Sequence, residues 1–103
     1  MSLIKWTEDG GHVTLGLPDD LDLPMASALV DSLRHAFAVA DSVIVEAAAV
    51  DRVSTACIQA LIAATRLAQQ SQQRFSIIDP SETLTTACQD LGLDPWLKQW
   101  SHA

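Results

Sequence analysis

Two adjacent hydroxyl residues, Ser54 and Thr55, stand where a short apolar segment leads into a long helical pattern. A hydroxyl at the start of a helix can accept a hydrogen bond from a free backbone N–H group. A phosphate attached there would lie near the same N–H groups and the positive end of the helix dipole. The pair therefore predicts either a simple helix N-cap or an exposed phosphoacceptor.

The two cysteines, Cys57 and Cys88, are far apart and each falls within an apolar helical pattern. They lack the spacing of metal ligands, so we expect two buried free thiols in a reducing compartment. Because Cys57 lies in the first turn of its predicted helix, a reactive thiol is the alternative.

Other catalytic or metal-binding patterns do not emerge from the sequence. The histidines at positions 12, 35 and 102 have no paired spacing, so they are interpreted as surface residues. The sequence has neither a Gly-x-Ser-x-Gly elbow nor a glycine-rich phosphate loop. Asp19 and Asp20 fall in a predicted turn and are expected to be solvated. We therefore expect no catalytic residue, no metal, no cofactor and no enzymatic activity.

Composition and net charge indicate a globular protein and disfavour some classes of partner. The 103 residues are 49% hydrophobic and 18% charged, which favours one globular domain spanning residues 1–103. Thirteen acidic and six basic residues give a net charge of −7, and the basic residues are scattered. Nucleic acids and anionic membranes are therefore unfavourable partners. The sequence shows no signal-peptide pattern and no long apolar stretch, so we expect a cytoplasmic protein without membrane insertion.

The N-terminal part predicts a β-hairpin followed by a helix. Residues 3–6 and 12–17 alternate between apolar and polar, as half-buried strands do, and an Asp-Gly-Gly turn signal lies between them. From Pro24 the spacing of apolar residues predicts a helix that ends near Ala40.

The central part predicts two further strands around a long helix. The β-branched run at 43–45 is typical of a central strand buried on both faces. A compact link over 46–53 precedes a helix that reaches about Ser71, with Gln73 continuing its exposed stripe. Residues 75–78 are predicted to form the last strand.

The C-terminal part predicts a third helix starting near Glu82 and a short fourth turn or helix starting near Asp94. The third helix should direct Leu91 inward and end at Gly92. Trp96 and Trp100 are four residues apart and share a face if the tail is helical. They either cover the end of the sheet or form an exposed patch for a partner or a dimer.

Taken together, the stretch 43–93 resembles the STAS domain of anti-sigma-factor antagonists. That family has an apolar strand ending in an acid, a short link, and an Asp-Ser-Ser-Gly-Leu-like motif that opens a helix. The matching segments here are Val43-Ile44-Val45-Glu46, Val50-Asp51-Arg52-Val53 and Ser54-Thr55-Ala56-Cys57-Ile58. The segment 17–21 extends the similarity to nearly the whole chain. The resemblance implies an α/β fold of the STAS type, an N-terminal hairpin followed by alternating strands and helices in a mixed, largely parallel sheet.

The resemblance also implies a non-enzymatic protein-interaction module. In phosphorylated family members, an anti-sigma kinase modifies the first Ser of the motif and the complex breaks. Thr55 occupies that position here and is the expected phosphoacceptor. The residues expected to bind the partner are Ser54, Thr55, Ala56, Cys57 and Gln59.

This chain departs from the antagonist motif at three positions. Ser54 replaces the family's Asp, Ala56 its second Ser, and Cys57 its Gly, which is expected to add bulk where a partner approaches. The Thr-Ala pair resembles stand-alone STAS proteins of Proteobacteria. Some of these accompany chemotaxis genes, and others are subunits of a lipid-transport ABC complex, where the Thr region contacts an ATPase.

Several partners therefore stay open. They are an anti-sigma kinase-like protein, a chemotaxis protein or a transporter ATPase, and a homodimer is also possible. A different hypothesis is that the protein senses a nucleotide or another small ligand, which would require an apolar pocket lined by Trp6 or Trp96.

Overall fold

The computed structural model describes residues 4–102. Its strands are β1 (Lys5–Asp9), β2 (His12–Gly16), β3 (Asp20–Leu21), β4 (Ser42–Glu46), β5 (Arg52–Val53), β6 (Arg74–Ile78) and β7 (Ser101–His102). Its helices are α1 (Met25–Val39), α2 (Thr55–Ser71), α3 (Glu82–Asp90) and α4 (Asp94–Trp100).

The strands form a five-stranded sheet in the order β1-β2-β4-β6-β7 and a two-stranded sheet of β3 and β5. Among the strand pairs of residues 4–102, only β1–β2 is antiparallel. The predicted mixed, largely parallel α/β fold is thus confirmed. The sequence did not reveal β3, β5 or β7, because two residues are too short to show alternation. Residues 75–78 are consequently not the last strand, since β7 adds to the edge of β6.

The helices lie on one face of the large sheet. From β2 through β4 and β6 to β7, each connection moves the chain in the same direction, and right-handed crossovers then place every helix on the same side. The inward residues of the three longest parallel strands are all buried: Val13, Leu15, Val43, Val45, Phe75 and Ile77. The prediction that β4 is buried on both faces is wrong, because Ile44 on the opposite face is only half-buried.

The N-terminal hairpin is confirmed, with Gly10 and Gly11 at φ 56° and 85° between β1 and β2. These positive angles explain the choice of glycine in the two-residue turn. The predicted half-buried first strand is wrong, because all five residues of β1 are exposed at the edge of the sheet. Residue 3 lies outside the described part of the chain.

The end of α1 is held by a side chain from the connection between α2 and β6. The Gln73 Nε2 amide donates to the backbone oxygens of Phe37, at 2.8 Å, and Ala40, at 2.7 Å. The prediction that Gln73 belongs to an exposed stripe is wrong, since it is half-buried and lies beyond the last residue of α2.

The predicted glycine follows the C-cap residue at the end of α3. Gly92 has a φ of 73°, and the Leu93 N–H group donates to the Cys88 oxygen at 2.7 Å, as in a Schellman motif. Leu91 was predicted to point inward, but 47% of it is exposed.

The two C-terminal tryptophans are half-buried. The Trp96 Nε1–H group donates to the Thr65 hydroxyl of α2 at 3.2 Å, and the Trp100 ring lies 6.2 Å from the Phe75 ring. These contacts fasten α4 to α2 and to β6, which favours the covering role over an exposed aromatic patch.

Both cysteines are completely buried and unpaired, as predicted. Burial, with a smaller contribution from the Asp94 carboxylate, raises the pKa of the Cys88 thiol above its usual value. That thiol therefore stays protonated at neutral pH and belongs to the core.

Candidate functional site

The start of α2 is held in place by the small sheet of β3 and β5. The Asp51 and Arg52 N–H groups donate to the Asp19 oxygen at 2.7 and 2.9 Å. The Ser54 N–H group then donates to the Leu21 oxygen at 2.8 Å. The link between β4 and α2 is therefore paired with the segment that precedes α1, which fixes where α2 begins.

Ser54 is the N-cap of α2. Its Oγ accepts from the Cys57 N–H group at 3.3 Å, and its backbone oxygen accepts from the N–H groups of Cys57 and Ile58. Its extended backbone, at φ −89° and ψ 155°, is the usual conformation of a cap. Of the two hydroxyls predicted as caps, the structure thus assigns the capping role to Ser54.

Thr55 is the first residue of α2, and its side chain is exposed. Its hydroxyl makes no hydrogen bond within residues 4–102. As the first residues of the helix, Thr55 and Ala56 have N–H groups without an intrahelical acceptor. The arrangement presents a free hydroxyl beside donors that favour an anion.

Three of the other expected partner-binding residues are accessible and one is not. Ser54 and Ala56 are half-buried, and Gln59 is exposed one turn further along α2. Cys57 is completely buried, with its Sγ donating to the Asp22 oxygen at 3.5 Å. We therefore assign the Cys57 side chain to the core and correct the expectation that it contacts a partner or adds bulk at the surface.

The surroundings of this helix start are acidic. Asp20 in β3, Asp22 before α1 and Asp51 before β5 belong to the segments that hold it, and Arg52 is the basic residue among them. Asp20 was expected to be solvated in a turn, but its Oδ1 is buried and has no hydrogen-bond partner within residues 4–102. A phosphate on Thr55 would add charge to a surface that is already negative.

The remaining residues considered from the sequence are dispersed. His12 begins β2, His35 lies on α1, and the two do not converge on a site. Among the described residues no group of three or more His, Cys, Asp or Glu side chains could hold a metal. Trp6 lies on the edge strand β1, whereas Trp96 lines an open groove between α2 and α4.

The sequence matches the family model described as "Mlab, STAS domain" over residues 4–98. The chain therefore belongs to the STAS family, and more narrowly to the group that this model represents. A search among curated proteins finds no significant match.

Solved anti-sigma factor antagonists have a similar fold. The unphosphorylated form of SpoIIAA has a TM-score of 0.79 at 16% identity, over 97% of this chain and 86% of that one. The phosphorylated form of SpoIIAA, a cell fate determinant of Bacillus, has a TM-score of 0.76 at 16% identity, over 97% and 89% of the two chains. A Ser→Glu variant of RsbS from Moorella thermoacetica has a TM-score of 0.78 at 17% identity, over 97% and 85%.

Proposed function

We propose that this STAS domain is a non-enzymatic, cytoplasmic module that binds a protein partner through the start of α2. The contact surface consists of Ser54, Thr55, Ala56 and Gln59, and Thr55 is the phosphoacceptor that regulates binding. The observation that carries the proposal is the exposed Thr55 hydroxyl, free of hydrogen bonds within the described residues, beside a separate capping serine.

The position of Thr55 supports regulation of binding without loss of the fold. A negative group in the first turn of a helix is stabilised by the helix dipole, by about 0.3–1 kcal/mol. The same group would impose desolvation and repulsion on a partner built to meet a neutral hydroxyl.

A second candidate is an accessory subunit of a lipid-transport ABC complex, or a chemotaxis-associated STAS protein, without a phosphorylation switch. The departures from the antagonist motif favour it, because the Ser54 hydroxyl is engaged in capping and Ala56 has no hydroxyl. In this case Thr55 and Gln59 contact an ATPase or another protein constitutively, and the contact tolerates a charge at Thr55.

Affinity capture from the native cytoplasm, with bound proteins identified by mass spectrometry, tests both candidates. The variants are Thr55→Glu and a matched control, Gln70→Glu, which adds the same charge to the exposed far end of α2. If Thr55→Glu loses a kinase-like partner that the wild type and Gln70→Glu both capture, the phosphorylation switch is supported. Capture of one transporter ATPase or chemotaxis protein by all three supports the accessory role.

A third variant, Gln59→Arg, tests the surface itself, because it adds bulk without changing the hydroxyl. Both candidates expect it to weaken capture of the partner. If the partner is captured equally by wild type, Thr55→Glu and Gln59→Arg, the contact surface is elsewhere and the proposal is wrong.

A further inference from the structure

Strand β1 forms an edge of the five-stranded sheet, and all five of its residues are exposed. In a hairpin with a two-residue turn, the residues on either side of the turn form a hydrogen-bonded pair. Here these residues are Asp9 and His12. By the alternation of an antiparallel ladder, Asp9, Thr7 and Lys5 direct their backbone groups toward β2. Trp6 and Glu8 therefore direct their N–H and C=O groups outward, where a further strand can pair with them.

We propose that a second copy of this chain pairs with β1 in an antiparallel arrangement, about a two-fold axis at Thr7. The two five-stranded sheets then become continuous. In this register Trp6 faces the partner's Glu8, so that both outward-directed residues of each copy form a hydrogen-bonded pair. This inference is independent of the surface at the start of α2.

Charge complementarity selects the register. With the axis at Thr7, Lys5 lies opposite the partner's Asp9, and symmetry makes this opposite-charge pair twice. These are non-hydrogen-bonded positions, where facing side chains are closest. Moving the axis to Glu8 places like charges face to face, and moving it to Trp6 removes both ion pairs. Charged edge strands usually prevent association, but here a two-fold axis makes the charges complementary.

Exposed apolar side chains lie along the same edge. Trp6 is 38% exposed and its ring lies 5.1 Å from the His35 ring of α1. Val39, one helical turn beyond His35, is 47% exposed. A second copy on β1 brings its own Trp6 and Val39 to this edge, so that apolar surface is removed from water in addition to the backbone pairing.

The decisive experiment exchanges the charges of the proposed ion pair. Lys5→Glu places acids opposite each other, and Asp9→Lys places cations opposite each other. Sedimentation equilibrium should therefore show each variant dimerising about tenfold or more weakly than the wild type, since two pairs change from attraction to repulsion. An equimolar mixture of the two should form a heterodimer, because both facing pairs are then of opposite charge. Each variant stays net acidic, so general attraction cannot cause this result.

A second pair of variants tests the backbone pairing. Glu8→Pro removes an outward N–H group and leaves the ladder to β2 intact, so it should abolish the dimer, whereas Glu8→Ala should keep it. Circular dichroism checks that both variants are folded. The inference is overturned if the wild type is monomeric up to its solubility limit, if the charge variants dimerise as well as the wild type, or if Glu8→Pro does.

Discussion

At the residue scale, Ser54 and Thr55 are neighbours with the same functional group and different surroundings. Ser54 is half-buried and its hydroxyl is engaged with the Cys57 N–H group, whereas Thr55 is exposed. The structural role and the proposed regulatory role thus fall on separate residues. A modification of Thr55 can therefore change the surface without removing the cap.

Because only Ser54 caps the helix, we expect two similar substitutions to lower the free energy of unfolding by different amounts. Ser54→Ala should lower the free energy of unfolding by about 1 kcal/mol, because an N-terminal N–H group of α2 loses its acceptor. Thr55→Ala should change it by less than about 0.5 kcal/mol, as is usual for an exposed site. Urea unfolding of both variants measures the difference. A larger loss for Thr55→Ala would show that the cap is assigned to the wrong residue.

At the scale of elements, a side chain from one part of the chain can supply the hydrogen bonds that the backbone at the end of a helix lacks. Gln73 lies in the short connection between α2 and β6, and its amide donates to two carbonyl oxygens at the end of α1. Carbonyls at the end of a helix otherwise lack a partner. One side chain thereby ties together the end of α1, the end of α2 and the start of β6.

Gln73→Glu is expected to lower the free energy of unfolding by about 2 kcal/mol at neutral pH. It replaces two donated hydrogen bonds with a carboxylate facing carbonyl oxygens. Gln70→Glu adds the same charge at an exposed position in the last turn of α2 and should cost less than about 1 kcal/mol. Because a protonated carboxyl can donate again, part of the loss should be recovered as the pH falls toward about 4. Equal costs for the two variants in urea unfolding would contradict the bonding of Gln73.

At the scale of the whole molecule, the strand order decides which surfaces exist. Each connection after β2 steps in one direction, so the helices cover one face of the sheet. The opposite face is lined by Thr14, Ile44 and Ser76, all half-buried. Within residues 4–102, every helix is too short or too polar to span a membrane.

Because helices cover only one face of the sheet, truncating the smaller side chain of Val45 in β4 should destabilise the protein more than truncating the larger side chain of Ile44. Val45→Ala should lower the free energy of unfolding by about 2 kcal/mol, because its side chain is completely buried. Ile44→Ala should cost only about 1 kcal/mol although it removes more atoms, since Ile44 is half-buried on the face without helices. Urea unfolding compares the two, and a higher cost for Ile44→Ala would indicate that this face is covered.

Much of the fold was predictable because it follows from local patterns. Alternation identified β2 and β6, apolar spacing identified α1 and α2, and Gly10-Gly11 identified the turn of the hairpin. The order of these elements implied a largely parallel sheet, and the hydroxyls at the start of α2 could be located from their position before an apolar helix. Two-residue strands such as β5 gave no such signal.

The sequence by itself determined the element types, the α/β class and the place of Ser54 and Thr55, since these depend on neighbours along the chain. Only the tertiary structure decided that Cys57 points into the core, where its thiol meets the Asp22 oxygen 35 positions away. It also decided that Gln73 caps a helix 36 positions earlier. Such contacts join residues that are distant in sequence, so they cannot be predicted from the periodicity of the sequence. They form only when the strands have paired in this order and the helices have packed on the sheet.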